Sequence, residues 1–86
     1  MTFFFLSVCE FHVGDGAGGT EQHLGSFDSA QECASYVLLN HPDANGVTYG
    51  GLVSGTACYK EMGQTGRSSS ANWENCFLPG KTYSSE

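Results

Sequence analysis

Asp28-Ser29-Ala30-Gln31-Glu32-Cys33-Ala34-Ser35-Tyr36-Val37-Leu38-Leu39-Asn40 is the stretch with a clear helical period. Ala30, Cys33, Ala34, Val37 and Leu38 recur at i, i+3, i+4, i+7 and i+8, which is one face of a helix. Ser29 and Glu32 have the spacing of a capping box, and Asp28 adds negative charge at the positive end of the helix dipole. Asn40-His41-Pro42 supplies the stop, since the residue before a proline is pushed out of the helical region. The pattern predicts a helix over residues 29–39. Its apolar stripe carries a thiol, Cys33, so whatever packs beneath it is expected to be stapled to it. Everything else reads as strands and loops, which makes the fold class α+β, a mainly antiparallel β-sheet crossed by a single helix.

The chain of 86 residues is read as a single domain over 1–86, with a core over about 9–78 and a polar tail over 79–86. In this size range cross-links often supplement a limited core. Cys9, Cys33, Cys58 and Cys76 are spread along the chain, none within Cys-x-x-Cys spacing of another and none accompanied by a His-x-x-x-His pair. That spacing speaks against zinc and favours two disulfides, hence an oxidising, extracellular compartment, over four free thiols. The apolar run from Phe3 to Val8 is too short for a signal sequence and has no Lys or Arg before it, so the chain is expected to be a mature secreted domain with an added or retained Met1. No stretch approaches the length of a transmembrane helix.

The net charge of −6 is unevenly distributed. Residues 1–43 hold Glu10, Asp15, Glu21, Asp28, Glu32 and Asp43 and no Lys or Arg, whereas residues 44–86 set Lys60, Arg67 and Lys81 against Glu61, Glu74 and Glu86. So acidic a chain cannot neutralise many phosphates, which excludes nucleic acid as a partner and disfavours an anionic membrane.

Residues 2–13 are rich in aromatic and branched side chains and predict a strand with Phe3, Phe5, Cys9, Phe11 and Val13 on one face and Glu10 and His12 on the other. Residues 14–19 are a loop by composition. They formally match GxGxxG, but no capped helix follows directly and the chain is far too short for a dinucleotide-binding domain. Asp15 and Glu21 do not keep the oxygen spacing of an EF-hand. A short strand is expected near Gln22–Leu24. After the helix come a turn over 42–46, a strand at Val47–Tyr49, a hairpin connection over 50–56 and a strand at Ala57–Met62. A polar loop over 63–72 and a strand over Trp73–Leu78 follow, the latter ended by Pro79-Gly80.

The motifs Ser29-Ala-Gln-Glu-Cys33 at a helix start, Ala44-Asn-Gly-Val-Thr-Tyr49, Cys58-Tyr-Lys-Glu61 and Trp73-Glu-Asn-Cys76 occur in the order in which the chain resembles the PAN/apple domain family. The resemblance covers about residues 9–78. It implies an antiparallel sheet crossed by one helix, with Cys58–Glu61 in the central strand. It also implies the pairings Cys33–Cys58, helix to sheet, and Cys9–Cys76, first strand to last. Many members carry a further pair beginning one helical turn beyond the first helix cysteine, where this chain has Tyr36 and Val37, so that pair is absent. The resemblance implies a secreted, lectin-like or adhesive recognition module without catalysis, binding carbohydrate or an extracellular protein.

Enzymatic constellations are missing. The chain has no Gly-x-Ser-x-Gly, no His-Glu-x-x-His and no Gly-Lys-Ser/Thr. Cys9 and His12 as a thiol–imidazole pair are outweighed by their reading as a half-cystine and a surface histidine. No cofactor or metal is expected. The best surface for a ligand is the polar loop with its aromatic flanks: Tyr59, Lys60, Gln64, Arg67, Ser69, Asn72 and Trp73, with Arg67 as the polar anchor. The competing reading of that segment is a plain hairpin loop with Trp73 in the core. The alternative function is a structural, homo-oligomerising module, in which the aromatic first strand or the split charge makes contacts between copies.

Overall fold

The computed structural model describes residues 8–53 and 55–80. Phe3 and Phe5, expected in the first strand, and residues 81–86 of the polar tail lie outside the described residues. The helix, α1, spans Ala30–Asn40, with Ser29 as its N-cap. Ser29 is extended (φ −153°, ψ 160°), and its Oγ accepts a hydrogen bond from the Glu32 amide at 3.1 Å, as the Ser-x-x-Glu spacing predicts. At the other end the His41 amide donates to the Val37 carbonyl at 2.8 Å before the chain turns away at Pro42. Cys33, Ala34 and Val37 are buried, and Ala30 and Leu38 pack against the same core, so the predicted stripe faces inward.

The strands are β1 (His12–Val13), β2 (Asp15–Ala17), β3 (Thr20–Ser26), β4 (Gly46–Gly50), β5 (Ala57–Met62), β6 (Gly66–Ser68) and β7 (Trp73–Phe77). Five of them form an antiparallel sheet in the order β1-β7-β4-β5-β3. β4 is therefore the central strand, and β5, expected there, lies between β4 and β3. Period-two alternation divides β4 between two layers. Val47 and Tyr49 join Cys33, Val37, Cys58, Cys76 and Leu78 in the core beneath α1, whereas Thr48 points to the opposite face. Two disulfides, Cys33–Cys58 and Cys9–Cys76, tie the helix to β5 and the segment before β1 to β7. All four cysteines are buried.

Two expectations are corrected. Of the first strand, expected over residues 2–13, the described part begins at Val8 and is mostly not paired in the sheet. Within the described residues only His12 and Val13 pair with β7. Further back, Gln31 of the helix takes the backbone that a sheet neighbour would have used: its Oε1 accepts from the Val8 amide at 2.7 Å and its Nε2 donates to the Cys9 carbonyl at 3.0 Å. Cys9 and Phe11 still face the core, but Val13 is 70% exposed. It ends an outer strand, whereas α1 packs over β4 and β5.

The second correction concerns both glycine-rich segments, expected as loops. They pair with each other as a two-stranded ribbon, β2 with β6, in the register Asp15↔Ser68, Gly16↔Arg67 and Ala17↔Gly66. The ribbon covers the sheet face opposite α1. Gly16 permits its close approach: a Cβ there would stand 2.6 Å from Glu61 Cδ and 2.7 Å from Gln64 Oε1.

Candidate functional site

Between ribbon and sheet lies a buried polar layer. Thr48 Oγ1 donates to Glu61 Oε2 at 2.6 Å and accepts from the Gly16 amide at 3.2 Å and from Asn75 Nδ2 at 2.9 Å. Gln64 and Asn75 face each other as an amide pair, with Gln64 Nε2 donating to Asn75 Oδ1 at 2.7 Å and Asn75 Nδ2 donating to Gln64 Oε1 at 2.9 Å. Arg67 Nε donates to the same Asn75 oxygen at 3.1 Å, and its guanidinium lies 5.8 Å from the centre of the Phe77 ring. Asn45 closes the layer by exchanging two hydrogen bonds with the Gln64 backbone.

Glu61 is the unusual member, 2% exposed and, among the described residues, without a cationic partner of its own. Burial pushes its carboxyl up to about 8, with further upward pressure from its hydrogen bond to Glu21 and from the charges of Glu21 and Asp15; the Thr48 hydroxyl acts the other way. At neutral pH Glu61 therefore keeps its proton and makes a hydrogen bond with Glu21. Asp15 Oδ1 is buried beside them with no hydrogen-bond partner. Asp15, Glu21 and Glu61 can each bring one oxygen within 4.8 Å of the others, so these are the described residues that could hold a hard cation. Apart from Asp15 Oδ1, the polar atoms named in this layer are hydrogen-bonded to one another, as buried polar groups ordinarily are.

Among the described residues a concavity lies elsewhere, over the end of the sheet where β4, β7 and β1 meet. It is an open groove of about 430 Å³. Phe11 and Trp73 line it beside His12, Asn72 and Glu74, and Tyr49, 6% exposed, lies at its buried base. Gly50 (φ 134°) belongs to its floor, where a Cβ would come 2.6 Å from the Asn72 carbonyl oxygen. Trp73 is half-buried: it packs across Gly51 and meets Tyr59 edge-on at 5.6 Å between ring centres. Tyr49 gives its hydroxyl to the Phe27 carbonyl, and burial, followed by the carboxylates of Asp28, Glu74 and Glu32, pushes that phenol upward.

The residues proposed from sequence are divided among four places. Asn72 and Trp73 line the groove. Gln64, fully buried, and Arg67, half-buried in β6, belong to the polar layer. Tyr59 stacks between His23 and Trp73 on the ribbon side, with Ser69 exposed beyond β6. Lys60 follows Tyr59 in β5 and so points to the helix side, where it is 6% exposed. Its Nζ donates to both Asp43 oxygens, at 3.0 and 2.8 Å, and lies 3.2 Å from His41 Nδ1. That contact with Lys60 holds the Asp43 carboxyl below its ordinary range. The thiol–imidazole pair is absent, since Cys9 is disulfide-bonded. Sequence reasoning missed Phe11 and Tyr49 as groove-lining residues and Glu61, Thr48 and Asn75 as a buried layer. The available signal was polar residues at strand positions alternating with core ones.

No family model, curated protein or solved structure matches the chain.

Proposed function

We propose that this domain is an extracellular, non-catalytic recognition module that binds a glycan, free or on a glycoprotein, in the groove beside Trp73. The observation that carries the reading is the groove itself, in which the half-buried Trp73 and Phe11 stand beside Asn72, His12 and Glu74. Sugar rings present apolar C–H faces and polar rims, and a site of this composition suits both. Two disulfides favour an oxidising compartment. The resemblance to PAN/apple modules points the same way. A glycan array with the purified domain and its Trp73→Ala variant tests the proposal. Binding that disappears in the variant, with an unchanged circular dichroism spectrum, is the expected result. Equal binding by both proteins refutes it.

The second reading, association between copies, draws on the tip of the β4–β5 connection, where Leu52 is 80% and Val53 100% exposed. Light scattering over a concentration series, repeated with Leu52→Ser, tests this reading. A monomer at every concentration removes it.

A further inference from the structure

Away from the groove, the ribbon and the sheet edge bring three carboxyl groups together. Glu21 in β3 and Glu61 in β5 are direct cross-strand partners on the face that the ribbon covers. Like charges placed directly opposite one another work against a sheet. Asp15 of the ribbon strand β2 adds a third acid, and one oxygen from each of the three lies within 4.8 Å of the others. Among the described residues no Lys or Arg answers them. Lys60 is bound to Asp43 on the helix side of the sheet, and Arg67 is engaged with Asn75 and Phe77. A hydrogen bond between Glu21 and Glu61 relieves that pair. It does nothing for Asp15, whose Oδ1 is buried without a hydrogen-bond partner. A carboxylate oxygen in that position is costly, and folded proteins ordinarily pair such atoms. The orphaned oxygen and the facing glutamates share one need, a positive charge.

We infer that Asp15, Glu21 and Glu61 form a calcium site that fastens the ribbon to the sheet. Carboxylate oxygens are the ligands that hard cations take. With calcium–oxygen distances of about 2.3–2.6 Å, ligands on opposite sides of one ion stand roughly 4.8 Å apart, so three oxygens within 4.8 Å of one another fit a single coordination sphere. Magnesium draws its oxygens in to about 2.0–2.1 Å and demands a regular octahedron, a tighter cage than three strands meeting at an edge supply. Glu61, 2% exposed, forms the floor of the site. Glu21 is exposed and Asp15 partly so, which leaves one side open for water to complete the shell. Sequence spacing carries no hint of such a site, because its ligands come from three strands. They meet only through the pairing of β2 with β6 and the register of β3 on β5. The residues are distinct from those lining the groove beside Trp73, and the test needs no glycan.

The whole chain, disulfides intact, is freed of metal with EDTA, transferred to chelator-free buffer and titrated with calcium chloride or magnesium chloride. Calorimetry should show saturable calcium binding with Kd on the order of 10⁻⁴ M, within the range of extracellular calcium modules, and magnesium about tenfold weaker. Calcium at about a hundredfold excess over Kd should raise the melting temperature by about 10 °C. Asp15→Asn and Glu21→Gln should each weaken calcium binding about tenfold or more, the scale of one lost charged contact. Glu10→Gln removes the same unit of charge beside β1, at the far edge of the sheet, and should bind calcium as the wild type does. If Asp15→Asn fails to fold by circular dichroism, Glu21→Gln, at an exposed position, decides alone. Absence of both saturable heat and a melting shift with calcium overturns the inference. Wild-type calcium affinity in the folded site variants overturns it as well. An equal loss in Glu10→Gln does the same, since it would mark attraction by net charge alone. Magnesium binding as tightly as calcium overturns the choice of ion and with it the calcium site.

Discussion

Replacing Glu61 by glutamine should make this domain more stable in alkali and leave it nearly unchanged in acid. The Glu61 carboxyl is pushed from an ordinary value of 4.5 up to about 8, first by burial and then by the neighbouring Glu21 and Asp15. The folded protein thus binds this proton more tightly than the unfolded chain. The linkage sign follows: the contribution is fully present below pH 4.5, declines as pH rises through the interval, and is gone above about 8. A displacement of that size corresponds to roughly 4–5 kcal/mol across the interval, of which about 3 kcal/mol is lost by pH 7. Against a net stability of about 5–15 kcal/mol for a domain, that is a large share. Glutamine copies the protonated acid, since its oxygen can accept from Thr48 and its amide can donate towards Glu21. The assay is thermal melting of both proteins, disulfides intact, at about pH 5, 7 and 9, where the difference isolates this one group from other titrations. Even ~2 kcal/mol would separate the melting temperatures by about 10 °C in a domain of this size. Parallel pH profiles for the two proteins would show that Glu61 carries no proton in the folded state and would refute the reasoning.

Three further outcomes are expected. Reduction should unfold the domain at modest temperature, because closing loops of sequence separation 67 and 25 is worth roughly 4 and 3.5 kcal/mol in the chain-entropy model; circular dichroism with and without reductant measures it, and an unchanged melt contradicts it. Val37→Asp would bury an unpaired carboxylate beneath α1 and should cost on the order of 4 kcal/mol or more, so a variant melting within a degree or two of wild type would show that the helix stripe does not face the core. Arg67→Ala should lower stability by about 1–2 kcal/mol through loss of the bond to buried Asn75 and the Phe77 contact, while glycan affinity at the groove stays the same; calorimetry and melting together check both halves.

The helix was determined by the sequence alone. Ser29, Glu32, the apolar spacing from Ala30 to Leu38 and Pro42 all act within one or two turns, so local chemistry suffices to start, orient and stop it. The same holds for β4, β5 and β7, whose runs of branched and aromatic residues lie between glycine and proline breaks. Trp73 and Asn72, which line the groove, could be singled out from sequence because an aromatic beside a polar loop is visible in the chain itself. The ribbon and everything it creates depended on the tertiary structure. Residues 15–17 and 66–68 have glycine-rich, loop-like compositions, and they become strands only because each supplies the other's hydrogen-bond partners from far along the chain. Period two places Tyr59 and Glu61 on one face of β5, but whether that face meets solvent or a second layer is decided by the ribbon. With the ribbon in place, Glu61 loses water and keeps its proton, and Arg67 and Gln64 turn from loop side chains into members of a buried network. Phe11 and Tyr49 come to line the groove for a related reason: the antiparallel register joins β1, β7 and β4 at one end of the sheet. Such burial and juxtaposition depend on contacts between distant segments, for which no short stretch of sequence carries a signal.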